Sequence, residues 1–220
     1  MKPEDFVITR KRKKYRFARF SEASNCFESD EWRAPETDAP ITLEVGAGTA
    51  LFSVELATRY PERFFVALDV KADRLQKGAY EALERRLTNI VFVRMHAMRL
   101  EEQLKLQASE IWITFPDPFP KKRSAKHRLL HPLFLQQYRN LLDERGKLLF
   151  KTDNHNLFDW SLEQLISQGW NITELSYDLH GVGPEVGLFV DARIKTTYEE
   201  RFTAEGLATH FVAALPDPRK

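Results

Sequence analysis

Ile41-Thr42-Leu43-Glu44-Val45-Gly46-Ala47-Gly48-Thr49-Ala50 sets the fold of this 220-residue chain. The apolar run Ile41 to Val45 is a short strand, Gly46-Ala47-Gly48 turns sharply, and Ala50 to Arg59 returns to amphipathic helical spacing. The same alternation continues downstream. Phe64 to Leu68 reads as a second buried strand ending at Asp69, and Leu75, Ala79 and Leu83 recur at helical spacing after it. Ile90–Met95, Glu110–Thr114 and Lys147–Lys151 follow as strands, with helices at Pro132–Leu142 and Leu157–Gln168. Strands alternating with helices predict an α/β protein, doubly wound, whose mostly parallel sheet is covered on both faces. Beyond Trp170 the pattern changes. Ile172–Tyr177 and His210–Ala214 read as strands flanking a loop and a short helix, an antiparallel C-terminal hairpin added to the parallel core.

Composition sets the outer bounds. With 43% hydrophobic residues the chain supplies one sizeable core, expected over 41–220, preceded by a basic arm and linker over 1–40. A net charge of +1 hides a strong asymmetry, since Arg10, Lys11, Arg12, Lys13, Lys14, Arg16 and Arg19 crowd the N-terminus. Tyr15, Phe17 and Phe20 lie among these cations, suited either to nucleic-acid contact or to a mobile tail. The lone Cys26 permits no intramolecular disulfide, and no apolar run reaches the ~18 residues of a membrane span. The expectation is a cytoplasmic protein with no membrane partner. No cluster of residues suggests a metal.

The glycine turn admits two kinds of cofactor. Both dinucleotides and S-adenosylmethionine bind at the carboxyl ends of strands in doubly wound sheets. The dinucleotide fingerprint places a third small residue where this chain has Leu51, which disfavours it. Glu44 also sets a carboxylate where a pyrophosphate would be repelled and an ammonium welcomed. Asp69, about 20 residues further on, stands where ribose hydroxyls are accepted. The alternative is that Gly46 and Gly48 serve only a tight turn and Asp69 only caps a helix.

A second informative run is Phe115-Pro116-Asp117-Pro118-Phe119-Pro120-Lys121-Lys122-Arg123. Its prolines exclude helix and sheet, leaving a stiff loop with one carboxylate beside three cations. Together with Lys151-Thr152-Asp153 after a strand and Thr196-Thr197-Tyr198-Glu199 near the C-terminus, it resembles the bacterial tRNA (guanine-N7)-methyltransferases. These are class I methyltransferases with a Rossmann-like fold, and the match runs from about Ile41 to Phe211. The resemblance implies transfer of the methyl group of S-adenosylmethionine to N7 of the variable-loop guanine of tRNA, position 46. It implies cofactor contacts from Glu44, Gly46, Gly48, Asp69, His96 and Asp117. Substrate contacts are implied for Lys121, Asp153, Thr196, Thr197, Tyr198 and Glu199, with Asp117 and Asp153 in the catalytic roles. Arg123, Ser124, Ala125, Lys126, His127 and Arg128 resemble the RNA-contact loop. A monomer or homodimer needing no protein partner is expected. Two positions depart from the family pattern: His96 stands where Asp or Asn is usual, and Ala50 where many members have glycine.

The chemistry fits these residue types. N7 of guanine has a free lone pair at neutral pH and attacks a methyl sulfonium without losing a proton, so no general base is needed. Positioning and electrostatics carry the catalysis. Asp153 is suited to the N1 and N2 edge of guanine and Lys121 to O6 or a phosphate. Each also has a plainer reading: Asp153 as a helix N-cap, His96 as a structural histidine, Thr197 with Glu200 as a capping box, and the basic run as a solvated face. The glycines Gly181, Gly183 and Gly187 place a flexible loop between His180 and Asp191 that is suited to act as a lid.

Overall fold

The computed structural model describes residues 11–181, 190–195, 199–200, 203 and 205–217, without side chains at 11–13 and 190. Thr196, Thr197, Tyr198, Phe202, Gly183 and Gly187 lie outside them. Two compact units divide the chain, residues 1–106 and 107–220.

In the first unit the elements run α1 (Lys11–Glu22), β1 (Cys26–Glu28), β2 (Ile41–Val45), α2 (Leu51–Arg59), β3 (Phe64–Asp69), α3 (Ala72–Glu84), β4 (Ile90–Arg94) and α4 (Leu100–Leu104). Its strands lie in the order β1-β4-β3-β2, and the β1–β4, β4–β3 and β3–β2 pairs are all parallel. β2 is buried along its whole length, as expected of a parallel strand covered on both faces. On α3 the buried stripe is Leu75, Gly78, Ala79 and Ala82, whereas Leu83 is 39% exposed. At 100° per residue, position 82 returns to within ~20° of Leu75 and position 83 swings ~80° away.

The described part of the N-terminal segment, from α1 onward, is built into this unit. α1 sets Phe20 into the core at 1% exposure, stacks the Arg19 guanidinium 3.7 Å from the Tyr80 ring and lays Phe17 under Arg94. Tyr15 remains outside at 65% exposure. β1 adds to the edge of β4, where Glu28 faces Arg94 and the two side chains form a nearly buried ion pair at 2.7 Å. Trp32 is likewise anchored, buried with its indole N–H donating to the Leu104 carbonyl.

The second unit runs β5 (Ala108–Thr114), α5 (Pro132–Leu141), β6 (Leu142–Thr152), α6 (His155–Ser167), β7 (Trp170–Ser176) and β8 (His210–Pro216). β5 pairs parallel with β6, while β8 lies antiparallel between β6 and β7. The antiparallel C-terminal pair is therefore present, joined by the long segment 177–209 and not by a tight turn. β7 alternates buried and exposed positions, the pattern of an edge strand with one covered face. Pro132 at the first turn and the His131 ring, which accepts from the Leu133 amide, start α5. Among the described residues no helix is long and apolar enough to cross a membrane.

Candidate active site

In the first unit, the turn after β2 requires left-handed backbone at Gly46 (φ 76°), Gly48 (φ 56°) and Ala50 (φ 54°). Glycine adopts this conformation freely; alanine at position 50 does so at a cost of about 1–2 kcal/mol. The Gly46 and Ala47 amides both donate to the Leu68 carbonyl, which fastens the turn to the end of β3. A Cβ placed on Gly48 would meet nothing within 4 Å, so that face of the turn is open to a ligand.

Asp69 uses both carboxylate oxygens. Oδ2 accepts from the Gly48 amide at 2.8 Å, and Oδ1 accepts from the Lys71 amide at 2.8 Å just before α3. The side chain thus holds the glycine turn and the start of α3 together. Each oxygen retains a further lone-pair site for a hydroxyl. Glu44 sits inside β2 at 1% exposure, where Oε2 accepts from the Ser53 hydroxyl at 2.6 Å. A buried carboxylate beside an open turn suits a cation better than an anion.

His96 follows β4, next to Asp69, whose carbonyl accepts from the Met95 amide. Its ring is exposed, and Nδ1 accepts from the Met98 amide at 3.2 Å, capping a short 3-10 turn. In the neutral ring the proton then lies on Nε2, which can only donate. Glu44, Gly46, Gly48, Asp69 and His96 thus gather at the carboxyl ends of β2, β3 and β4.

Sequence inspection overlooks Gly78. On α3, a Cβ there would stand 2.6 Å from the Thr49 carbonyl and 3.2 Å from the Ala50 methyl. This glycine lets the helix press directly against the glycine turn. Its only signal in the sequence is a glycine inside an otherwise helical pattern.

In the second unit, two motifs leave adjacent parallel strands. Thr114 at the end of β5 is in register with Lys151 near the end of β6, and the Phe115 amide donates to the Lys151 carbonyl. The proline loop departs from one strand and Asp153 from the other. Asp117 and Lys121 are exposed, and the backbone at both Phe115 (φ 47°) and Phe119 (φ 42°) is left-handed. Residues Lys122–His127 form a 3-10 turn on which Lys122, Arg123, Lys126 and His127 face solvent.

The cap of α6 is Asn154, whose side chain accepts from the Leu157 amide at 2.8 Å. Asp153 is therefore not the helix cap. Burial pushes its carboxyl above the ordinary aspartate range, opposed by a backbone hydrogen bond and by nearby His210. His210 is held by donating from Nδ1 to the Tyr177 carbonyl, and its ring packs against Phe158, His155 and Tyr177.

Lys151 and Glu199 form an ion pair at 2.7 Å with both side chains fully buried. Lys151 Nζ also donates to the carbonyls of Ile194 at 2.7 Å and Ala192 at 3.2 Å, while His180 Nε2 donates to the other Glu199 oxygen at 2.7 Å. The segment carrying Glu199 is thereby bolted to β6 directly before Asp153. Glu199 is turned inward to these partners.

These observations meet the comparisons. A family model described as a putative methyltransferase matches residues 38–212. The tRNA (guanine-N(7)-)-methyltransferase of Cytophaga hutchinsonii is 39% identical over 178 residues, which cover 80% of each chain. The protein of the same name from Listeria monocytogenes is 35% identical over 85% of this chain and 86% of its own. Among solved structures, the 16S rRNA methyltransferase KamB superposes with a TM-score of 0.62 at 18% identity, covering 81% of this chain and 88% of its own. A 16S rRNA (adenine(1408)-N(1))-methyltransferase from Catenulisporales acidiphilia, solved with the cosubstrate SAM, gives 0.57 at 14% identity, covering 94% and 93%. These structures share the Rossmann-like methyltransferase fold with it, and by sequence the chain belongs to the tRNA (guanine-N(7)-)-methyltransferase family.

Proposed function

We propose that this protein methylates N7 of the variable-loop guanine of tRNA, with S-adenosylmethionine as the donor. The observation carrying the reading is the geometry of β5 and β6: adjacent strand ends release the Asp117 loop and Asp153 side by side, with a solvent-facing basic turn directly downstream. Relatives named tRNA (guanine-N(7)-)-methyltransferase, aligned over about 80% of the chain, support the tRNA substrate and the N7 target.

The first unit's residues fit the donor. Glu44 would hold its ammonium, the open face at Gly48 would admit its amino-acid portion, and Asp69 would accept from the ribose hydroxyls. His96 Nε2–H donates to a ring nitrogen of the adenine, where Asp or Asn would accept from the exocyclic amine. The bound donor supplies an electrophilic methyl group on a sulfonium.

The remaining residues orient the base. Asp153 accepts from N1–H and the N2 amine of guanine, which fixes the ring, while Lys121 donates to O6 or an adjoining phosphate. N7 then attacks the methyl carbon with its own lone pair while the carbon–sulfur bond breaks and its electron pair stays on sulfur as a neutral thioether, and no proton is removed. The positive charge that develops on the base lies near the carboxylates of Asp117 and Asp153, which stabilise it. Lys122, Arg123, Lys126 and His127 draw the tRNA backbone to this edge. Seating the guanine requires unstacking it from its tertiary contacts, at a few kcal/mol. The test is methyl transfer from labelled donor to unmodified tRNA followed by nucleoside analysis. Label in 7-methylguanosine is expected; label in another nucleoside, or none, refutes the proposal.

A further inference from the structure

The run Lys121–Arg128 presents its cations unequally. Lys121, Lys122, Arg123, Lys126 and His127 are exposed, whereas Arg128 is half-buried. Its guanidinium reaches back under the proline loop. Nε donates to the Pro118 carbonyl at 3.1 Å and the Phe119 carbonyl at 3.3 Å, and Nη2 donates to the Phe119 carbonyl at 3.1 Å. The guanidinium carbon lies 4.4 Å from the centre of the Trp160 ring on α6.

The loop needs such a partner. Phe119 holds a left-handed φ of 42°, costing about 1–2 kcal/mol for a residue with a Cβ. Conformations of this kind persist only where the surroundings impose them. Phe115, at the other end of the loop, is held by β6 through its amide. Pro116, Pro118 and Pro120 contribute no N–H, which leaves the loop few local donors, and Arg128 supplies donors to the Pro118 and Phe119 carbonyls.

We propose that Arg128 is a positioning residue for methyl transfer: it clamps Pro118 and Phe119 against Trp160 and so fixes Asp117 and Lys121, and it does not bind tRNA phosphate. The proposal rests on the reading that this loop serves the reaction. It distinguishes Arg128 from its neighbours by chemistry, because a phosphate contact tolerates lysine, while a forked donor stacked on an indole does not.

The test uses full-length protein with Arg128→Lys, Arg128→Ala and Trp160→Leu. Three quantities are read: kcat at saturating tRNA, tRNA affinity across a salt series, and hydrogen exchange at the Asp117, Phe119 and Lys121 amides without substrate. A clamp predicts that both Arg128 variants lose kcat on the order of 100-fold, the penalty of a ~1 Å misplacement. The salt slope stays unchanged, the loop amides exchange faster, and Trp160→Leu moves kcat and exchange in the same direction. Wild-type kcat in Arg128→Lys overturns the proposal, as does a salt slope shallower by about 0.9 in Arg128→Ala, the signature of one lost phosphate contact. Should Arg128→Ala fail to fold, the lysine and Trp160 variants decide. Unchanged loop exchange overturns the clamp whatever the activity, whereas wild-type protein inert toward tRNA refutes the functional reading and leaves the clamp to be decided by exchange.

Discussion

Replacing Lys151 by methionine keeps most of the unbranched side chain and removes its charge and donors. The Glu199 carboxylate, at 0% exposure, then keeps its hydrogen bond to His180 but loses the 2.7 Å ammonium. The carbonyls of Ala192 and Ile194 lose their donor as well. Breaking a buried ion pair from one side costs about 3–5 kcal/mol, mostly from the charge left uncompensated. At ~2–4 °C of melting temperature per kcal/mol for a chain of this size, Lys151→Met is expected to lower Tm by roughly 6–20 °C. Lys151→Met combined with Glu199→Gln removes the stranded charge and recovers a large part of that loss. Calorimetric melting of the wild type, both single variants and the double variant closes the cycle. A loss under about 1 kcal/mol in Lys151→Met, or a double variant no more stable than the singles predict by addition, refutes the view that this pair fastens the Glu199 segment to β6.

Gly78→Ala drives a methyl group against the Thr49 carbonyl, and overpacking of this kind costs about 1–3 kcal/mol. Because the strain falls on the glycine turn proposed to hold the donor, donor affinity measured by calorimetry should drop about 10-fold or more while tRNA affinity holds; equal loss of both contradicts a local effect. Asp153 yields a prediction in pH. Its folded pKa lies above the unfolded value, so the folded state binds the extra proton, and stability falls as pH rises from the unfolded pKa through the folded one. Asp153→Asn should therefore melt higher than wild type at pH 7, lose that advantage in acid, and transfer methyl groups poorly; a lower melting point at pH 7 would sink this.

The strands of the core were legible because parallel strands buried on both faces are written as apolar runs, as at Ile41–Val45 and Phe64–Leu68. The glycine turn and proline loop were legible because glycine and proline act through the backbone itself. Other features escaped local pattern. In α1 the crowded cations mask the inward-facing Phe17 and Phe20, and β1 is too short for any periodicity to show. Leu83 and Ala82 differ by one position, finer than spacing alone resolves. Glu199 meets Lys151 across 48 residues of sequence, a pairing that only the tertiary fold creates. Asp153 had a plain reading as the helix cap, and the structure gives the cap to its neighbour Asn154.

The central claim is that N7 of a tRNA guanine attacks the donor directly with its own lone pair. Its most direct test compares unmodified tRNA with the same tRNA carrying 7-deazaguanine at the variable-loop position, which keeps the Watson–Crick edge for Asp153 and lacks the nucleophile. Label in 7-methylguanosine on the first, none on the second, and equal binding of both is the predicted result. Methyl transfer that persists on the 7-deaza substrate contradicts the account.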